Sequence, residues 1–200
     1  MAITSEYTTS AVQSSLTVNP RRGMFYATKS VAAALFALVA GIVGILLAAG
    51  VLWLFTRGHD ITALTNDQSR IIPVTLIGFP LTIVLVSLMA QGLGGMTRST
   101  VGGVCALIVL FMVLSSVLSI TSMAINQVEW LGTLSYLTPD TAMNHFLGAG
   151  IESSSQSTLA AAVKPNYWIP DWWQSGLILL AWAAAAWAGG LIVTKKADIK

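Results

Sequence analysis

Four long runs of this chain carry no charged residue, and each is long enough to cross a lipid bilayer. They cover Ser30 to Phe55, Ile71 to about Leu93, Val101 to about Met123 and about Ser175 to Val193. A helix needs about 20 apolar residues to traverse a hydrocarbon layer of about 30 Å. Inside that layer every backbone N–H and C=O must be satisfied within the protein, which leaves helices and closed barrels. Barrel strands alternate apolar and polar residues, whereas these runs are continuous. The expected fold is an all-α membrane protein with four transmembrane helices. Composition agrees. The chain is 55% hydrophobic and 9% charged, against about 25% charged residues in an ordinary soluble domain. So few charges could not cover a water-facing surface. A net charge of +2 gives no support to nucleic acid as a partner.

The charges outside the runs set an orientation. Arg21, Arg22 and Lys29 precede the first run, Arg98 lies between the second and third, and Lys195, Lys196 and Lys200 follow the fourth. Arg57, Arg70 and Lys164 fall on the opposite side. Seven basic residues against three place both termini in the cytoplasm, because loops rich in Lys and Arg stay inside. A multi-pass protein of the plasma membrane is expected. The first 20 residues contain neither Lys nor Arg and no apolar core, so the first span is expected to act as an uncleaved anchor. Cys105 is the sole cysteine, so no internal disulfide can form.

This divides the chain into a polar segment 1–29, a transmembrane domain 30–193 with spans at about 30–55, 71–93, 101–123 and 175–193, and a tail 194–200. Within segment 1–29, Ile3, Tyr7, Ala11 and Val18 form a weak helical stripe, and Pro20 ends it. The outer loop 124–174 contains apolar stretches too short to span, which predicts re-entrant or interfacial helices. Trp168, Trp172 and Trp173 stand where an aromatic belt meets the headgroups, with a carbohydrate or ligand platform as the alternative reading. Gly41 and Gly44, and the Ala-rich stretch of the fourth span, are small-residue surfaces that allow helices to approach closely. Pro80 lacks a backbone donor and predicts a kink in the second span. Ser115, Ser119, Ser122 and Asn126 are spaced 4, 3 and 4, which puts them on one helical face. That face either bonds a neighbouring helix or lines a wet cavity. Met112, Ser115, Ser119 and Ser122 form the candidate substrate path.

Little of the chemistry of enzymes is present. No Asp, Glu, Lys, Arg or His lies inside the four runs, where ion-coupled carriers place theirs. No Walker-type loop occurs. His59 and His145 have no ligand-spaced companions, so no metal is expected. Asp140 has no paired nucleophile. The chain is not expected to be an enzyme.

The stretch "TSEYTTSAVQSSLTVNPRRGMFYATKSVAAALFALVAG" resembles the cytoplasmic loop and following span of ABC-2-type permeases, the membrane subunits of ATP-binding-cassette exporters. Glu6, Tyr7, Pro20, Arg21, Arg22 and Lys29 match that pattern. "SLMAQGLGGMTRSTVGGVCALIVLFMVL" resembles the family's Gly-rich turn, carried by Gly92, Gly94, Arg98 and Ser99, and "LSYLTPDTAMNHFL" resembles its outer loop at Pro139 and Ala142. The motifs keep the family's order over about residues 4–193. The resemblance implies that segment 1–29 is a coupling element seated on an ATPase subunit, with Glu6, Tyr7, Arg21 and Arg22 as its coupling residues. It also implies that ATP and Mg are bound by that partner, that a second permease subunit completes a homo- or heterodimer within membrane lipid, and that this chain forms the substrate path. Members of the family usually have six spans, so the first two are expected to be missing here. The tail "KKADIK" departs from the family's terminal Arg-Asp pair. Two other readings stand beside this one. A non-transporting membrane partner, of immunity or sensor kind, accords with the missing spans. A secondary carrier is disfavoured by the uncharged spans.

Overall fold

The computed structural model describes residues 22–57, 71–124, 129–149 and 168–196. Among them there is no strand. Four helical stretches are long and apolar enough to cross a membrane. They are α1 (Arg22–Thr56), α2 (Ile71–Thr97), a third span made of α3 (Thr100–Ile108), a π-helical turn (Val109–Val113) and α4 (Leu114–Ala124), and finally α7 (Trp172–Lys196). Two short helices, α5 (Glu129–Tyr136) and α6 (Pro139–Leu147), lie between the third and last spans. The chain is an all-α membrane protein. An even number of crossings puts Arg22 and Lys196 at the same face of the bundle, here termed the near face.

Large apolar side chains point outward along every span. Phe36 and Phe55 on α1 are each 78% exposed, and Ile77, Val101 and Ile120 are exposed likewise. Such surfaces are untenable in water and ordinary in lipid. The interior is correspondingly small. Met89 of α2 packs with Leu179, Ala183 and Ala186 of α7, flanked by Leu85, Leu93, Phe111 and Trp182.

With lipid as solvent, helices associate through close packing more than through hydrophobic burial. α2 is the central helix, with its broadest contacts to α7 and then to α1. Two crossings show what the small residues achieve. A methyl group on Gly92 would overlap the backbone of Ala186, and one on Gly41 would come within 2.8 Å of the Pro80 Cα. The small-residue stripes of the first and last spans therefore both face α2. Pro80 sits inside α2 without ending it, buried at the Gly41 crossing.

The helices run past the apolar runs at several ends. α1 starts at Arg22 and so includes Lys29, and α7 reaches Lys196. The link from α2 to the third span is a tight turn. Arg98 takes a left-handed φ of 51°, uncommon for a residue with a Cβ. Ser99 then caps α3, its side chain accepting from the Gly102 N–H at 3.4 Å, as N-cap serines do.

Candidate functional site

The helices α5 and α6 form a hairpin that dips between the spans. The indole Nε1–H of Trp182 donates to the Leu137 carbonyl at 2.8 Å. Trp182 lies ten residues inside α7 from Trp172, so the hairpin turn reaches about 15 Å below the start of that helix. From there α6 climbs back along α7. Met143 packs on the central cluster, Phe146 fits against Gly78 and Gly176, and Phe146 stacks on Trp172 at 6.3 Å. At the top, the Thr75 hydroxyl donates to the Leu147 carbonyl at 3.2 Å. The described segment 129–147 thus re-enters the bundle between the third and last spans.

Backbone at that depth has no water to bond with and must be satisfied by protein. The turn does this with its own polar residues. The Ser135 hydroxyl donates to the Gly132 carbonyl at 2.7 Å, and that of Thr138 to the Ser135 carbonyl at 2.9 Å. Pro139 opens α6, where the missing N–H costs no helical bond. Near the far face the Ser175 hydroxyl donates to the Asp171 carbonyl at 3.1 Å. His145 Nδ1 lies 3.0 Å from Ser175 Oγ, within hydrogen-bond distance.

The candidate path residues separate. Ser115 is buried, and its Oγ has no hydrogen-bond partner. Met112 is 65% exposed, and Ser119 is exposed. The π-helical turn is one cause. There the Leu114 N–H bonds back five residues, to the Val109 carbonyl, so Met112 and Ser115 no longer keep α-helical register. The same turn contains Phe111, whose carbonyl a helical serine at position 115 would ordinarily reach, as Thr121 reaches Val117 at 2.7 Å. The side chain of Ser122, and all of Asn126, lie outside the described residues. Of the coupling residues, Glu6, Tyr7 and Arg21 also lie outside them, and Arg22 is described only as the first residue of α1. Trp168 and Trp173 are half exposed at the start of the last span, while Trp172 turns inward to Phe146.

Two further features escaped the sequence reading. Gln91 is buried in α2 with neither Oε1 nor Nε2 bonded. The contact of Tyr26 with Gly95 and the Gly41–Pro80 crossing set α1 antiparallel to α2 and place Gln91 level with Ser30. At that level the Trp187 Nε1–H donates to Ser30 Oγ at 2.8 Å, and Ser30 donates to the Tyr26 carbonyl at 2.9 Å. The Tyr26 hydroxyl donates to the Trp187 carbonyl at 3.4 Å. An amide in the middle of "VSLMAQGLGG" was the signal for Gln91. For the network it was a tryptophan inside an alanine run.

Among the described residues no three His, Cys, Asp or Glu side chains gather where a metal could be held. What the hairpin and the third span offer is hydrogen bonding: a hydroxyl at hydrocarbon depth, beside a π-helical turn, that can both donate and accept. Comparisons with family models, with curated proteins and with solved structures find no match to this chain.

Proposed function

We propose that the chain is a membrane-spanning permease subunit of an ATP-driven exporter. It would form part of the substrate path and couple that path to a separate ATPase subunit, which binds ATP and Mg. A second permease subunit would complete the assembly, in the plasma membrane with both termini cytoplasmic. The observation that supports this most is the unpartnered Ser115 hydroxyl, buried in the middle of the third span. Leaving a polar group unsatisfied at that depth costs about 1–3 kcal/mol, a cost expected where a passing ligand makes the bond. The π-helical turn just before it is a feature frequent at functional sites. The ordered resemblance from Glu6 to Ala142 supplies the coupling half of the reading.

The test begins with the tagged full chain, purified from its own cells in mild detergent. It should bring down a P-loop ATPase subunit. Glu6→Ala, Tyr7→Ala and Arg21→Ala should each lower ATPase stimulation while membrane insertion continues. No ATPase in the purified material, or unchanged co-purification and ATPase activity in all three variants, would overturn the proposal and favour a non-transporting membrane partner.

A further inference from the structure

A lateral groove of about 370 Å³ opens between α1 and α7, floored by Leu85 and Leu88 of α2. Ala27, Val31 and Ala34 form one wall, and Leu180, Ala184 and Trp187 the other. Its polar atoms are already engaged with each other, since Trp187 Nε1 donates to Ser30 Oγ. Whatever enters is therefore hydrocarbon.

The mouth of the groove is charged. The stripe of Ala27, Ser30 and Ala34 continues down α1 to Gly23, and the stripe of Leu180, Ala184 and Trp187 continues along α7 to Lys195. These ends meet: the Lys195 Cε lies 2.9 Å, and its Nζ 3.6 Å, from where a Gly23 Cβ would stand. The lysine stem crosses the seam one turn outside the groove, at the end of the candidate span Trp172–Lys195. Lys29, another lysine near this face, lies over the Phe25 ring at 4.6 Å, on the opposite side of α1 from the groove.

We propose that this groove binds an acyl chain of an anionic phospholipid whose headgroup meets Lys195. Hydrocarbon fills the apolar slot, and the ammonium stands at headgroup depth over its opening. The proposal does not rest on the exporter reading.

The experiment uses the full chain in detergent, titrated with phosphatidylglycerol or phosphatidylcholine carrying brominated acyl chains. Bromine quenches tryptophan fluorescence on contact, and Trp187 lines the slot. Phosphatidylglycerol should quench saturably at roughly five-fold lower concentration than phosphatidylcholine, the ratio expected for one lysine near an anionic headgroup. Lys195→Gln should abolish that difference, Lys29→Gln should keep it, and Trp187→Phe should remove most of the saturable quenching. Circular dichroism confirms that each variant is folded. A difference that survives Lys195→Gln overturns the proposal, as does saturable quenching undiminished in Trp187→Phe. A dimer that Ala34→Phe dissolves while lipid quenching is unaltered would assign the groove to a second copy of the chain, and would overturn it as well.

Discussion

Ser30 and Ser115 are both buried serines on spanning helices, and they differ in what their hydroxyls meet. Ser30 Oγ accepts from Trp187 and donates to the Tyr26 carbonyl. Ser115 Oγ is buried with no hydrogen-bond partner. Alanine at the two positions should therefore act in opposite directions. Ser30→Ala strands an indole N–H and should lower stability in a detergent melting assay, by about 0.6 kcal/mol and at most about 1.7, the span measured for hydrogen bonds between membrane helices. Ser115→Ala removes an orphaned group that costs about 1–3 kcal/mol, so the melt should hold or rise. If Ser115 contacts substrate, the transport profile should change in the same variant. A clear drop in melting temperature for Ser115→Ala would assign the residue to packing.

At the scale of elements, the re-entrant hairpin hangs on few side chains. Its turn is tied to the last span through Trp182, and its exit through Thr75 and the Phe146–Trp172 stack. Trp182→Phe keeps an aromatic side chain and deletes the tie. Amide hydrogens of residues 133–142 should then exchange faster, with protection of α2 unchanged; identical exchange in the variant would show that the turn is held by shape alone. How far the hairpin was legible follows from the same residues. Apolar stretches too short to span marked it as re-entrant or interfacial, because length against bilayer thickness is a one-dimensional quantity. Depth was not legible, since it depends on a bond between residues 45 apart in the chain. The four spans were legible for the same reason as the short stretches. Their ends were not, because Lys29 and Lys195 lie on helix that continues past the apolar run, and long basic stems can snorkel to water. The serine stripe was read with a uniform helical period. A local change to a π-helical turn, which no residue type announces, separated Met112 from Ser115. Gln91 is uncharged, and its burial follows from how α2 packs against its neighbours, which a hydropathy pattern does not display.

At the scale of the whole molecule, four spanning helices put Arg22 and Lys196 at one face of the bundle and Thr56 and Trp172 at the other. In a background with the exposed Cys105 replaced by alanine, Ser10→Cys and Lys200→Cys should share one labelling pattern with an impermeant maleimide, and Ser154→Cys should show the reverse. With termini in the cytoplasm, only Ser154→Cys labels in intact cells; labelling at Ser10 from outside would reverse the orientation. The basic residues also speak to how the protein sits. α1 has 35 residues and is about 52 Å long, well beyond a hydrocarbon layer of about 30 Å. Two cations are pinned on it over aromatic rings, Lys29 on Phe25 and Arg57 on Trp53, and such pairs settle where hydrocarbon gives way to headgroups. The rise from Lys29 to Trp53 is about 36 Å. That exceeds the thickness of the layer, an excess that spanning helices accommodate by tilting, kinking or locally thickening the bilayer. The inclination of the first helix is then set jointly by the bilayer and by its packing on the second helix. A thicker membrane would draw it upright, and because Gly41 locks it against Pro80, the second helix would have to turn with it.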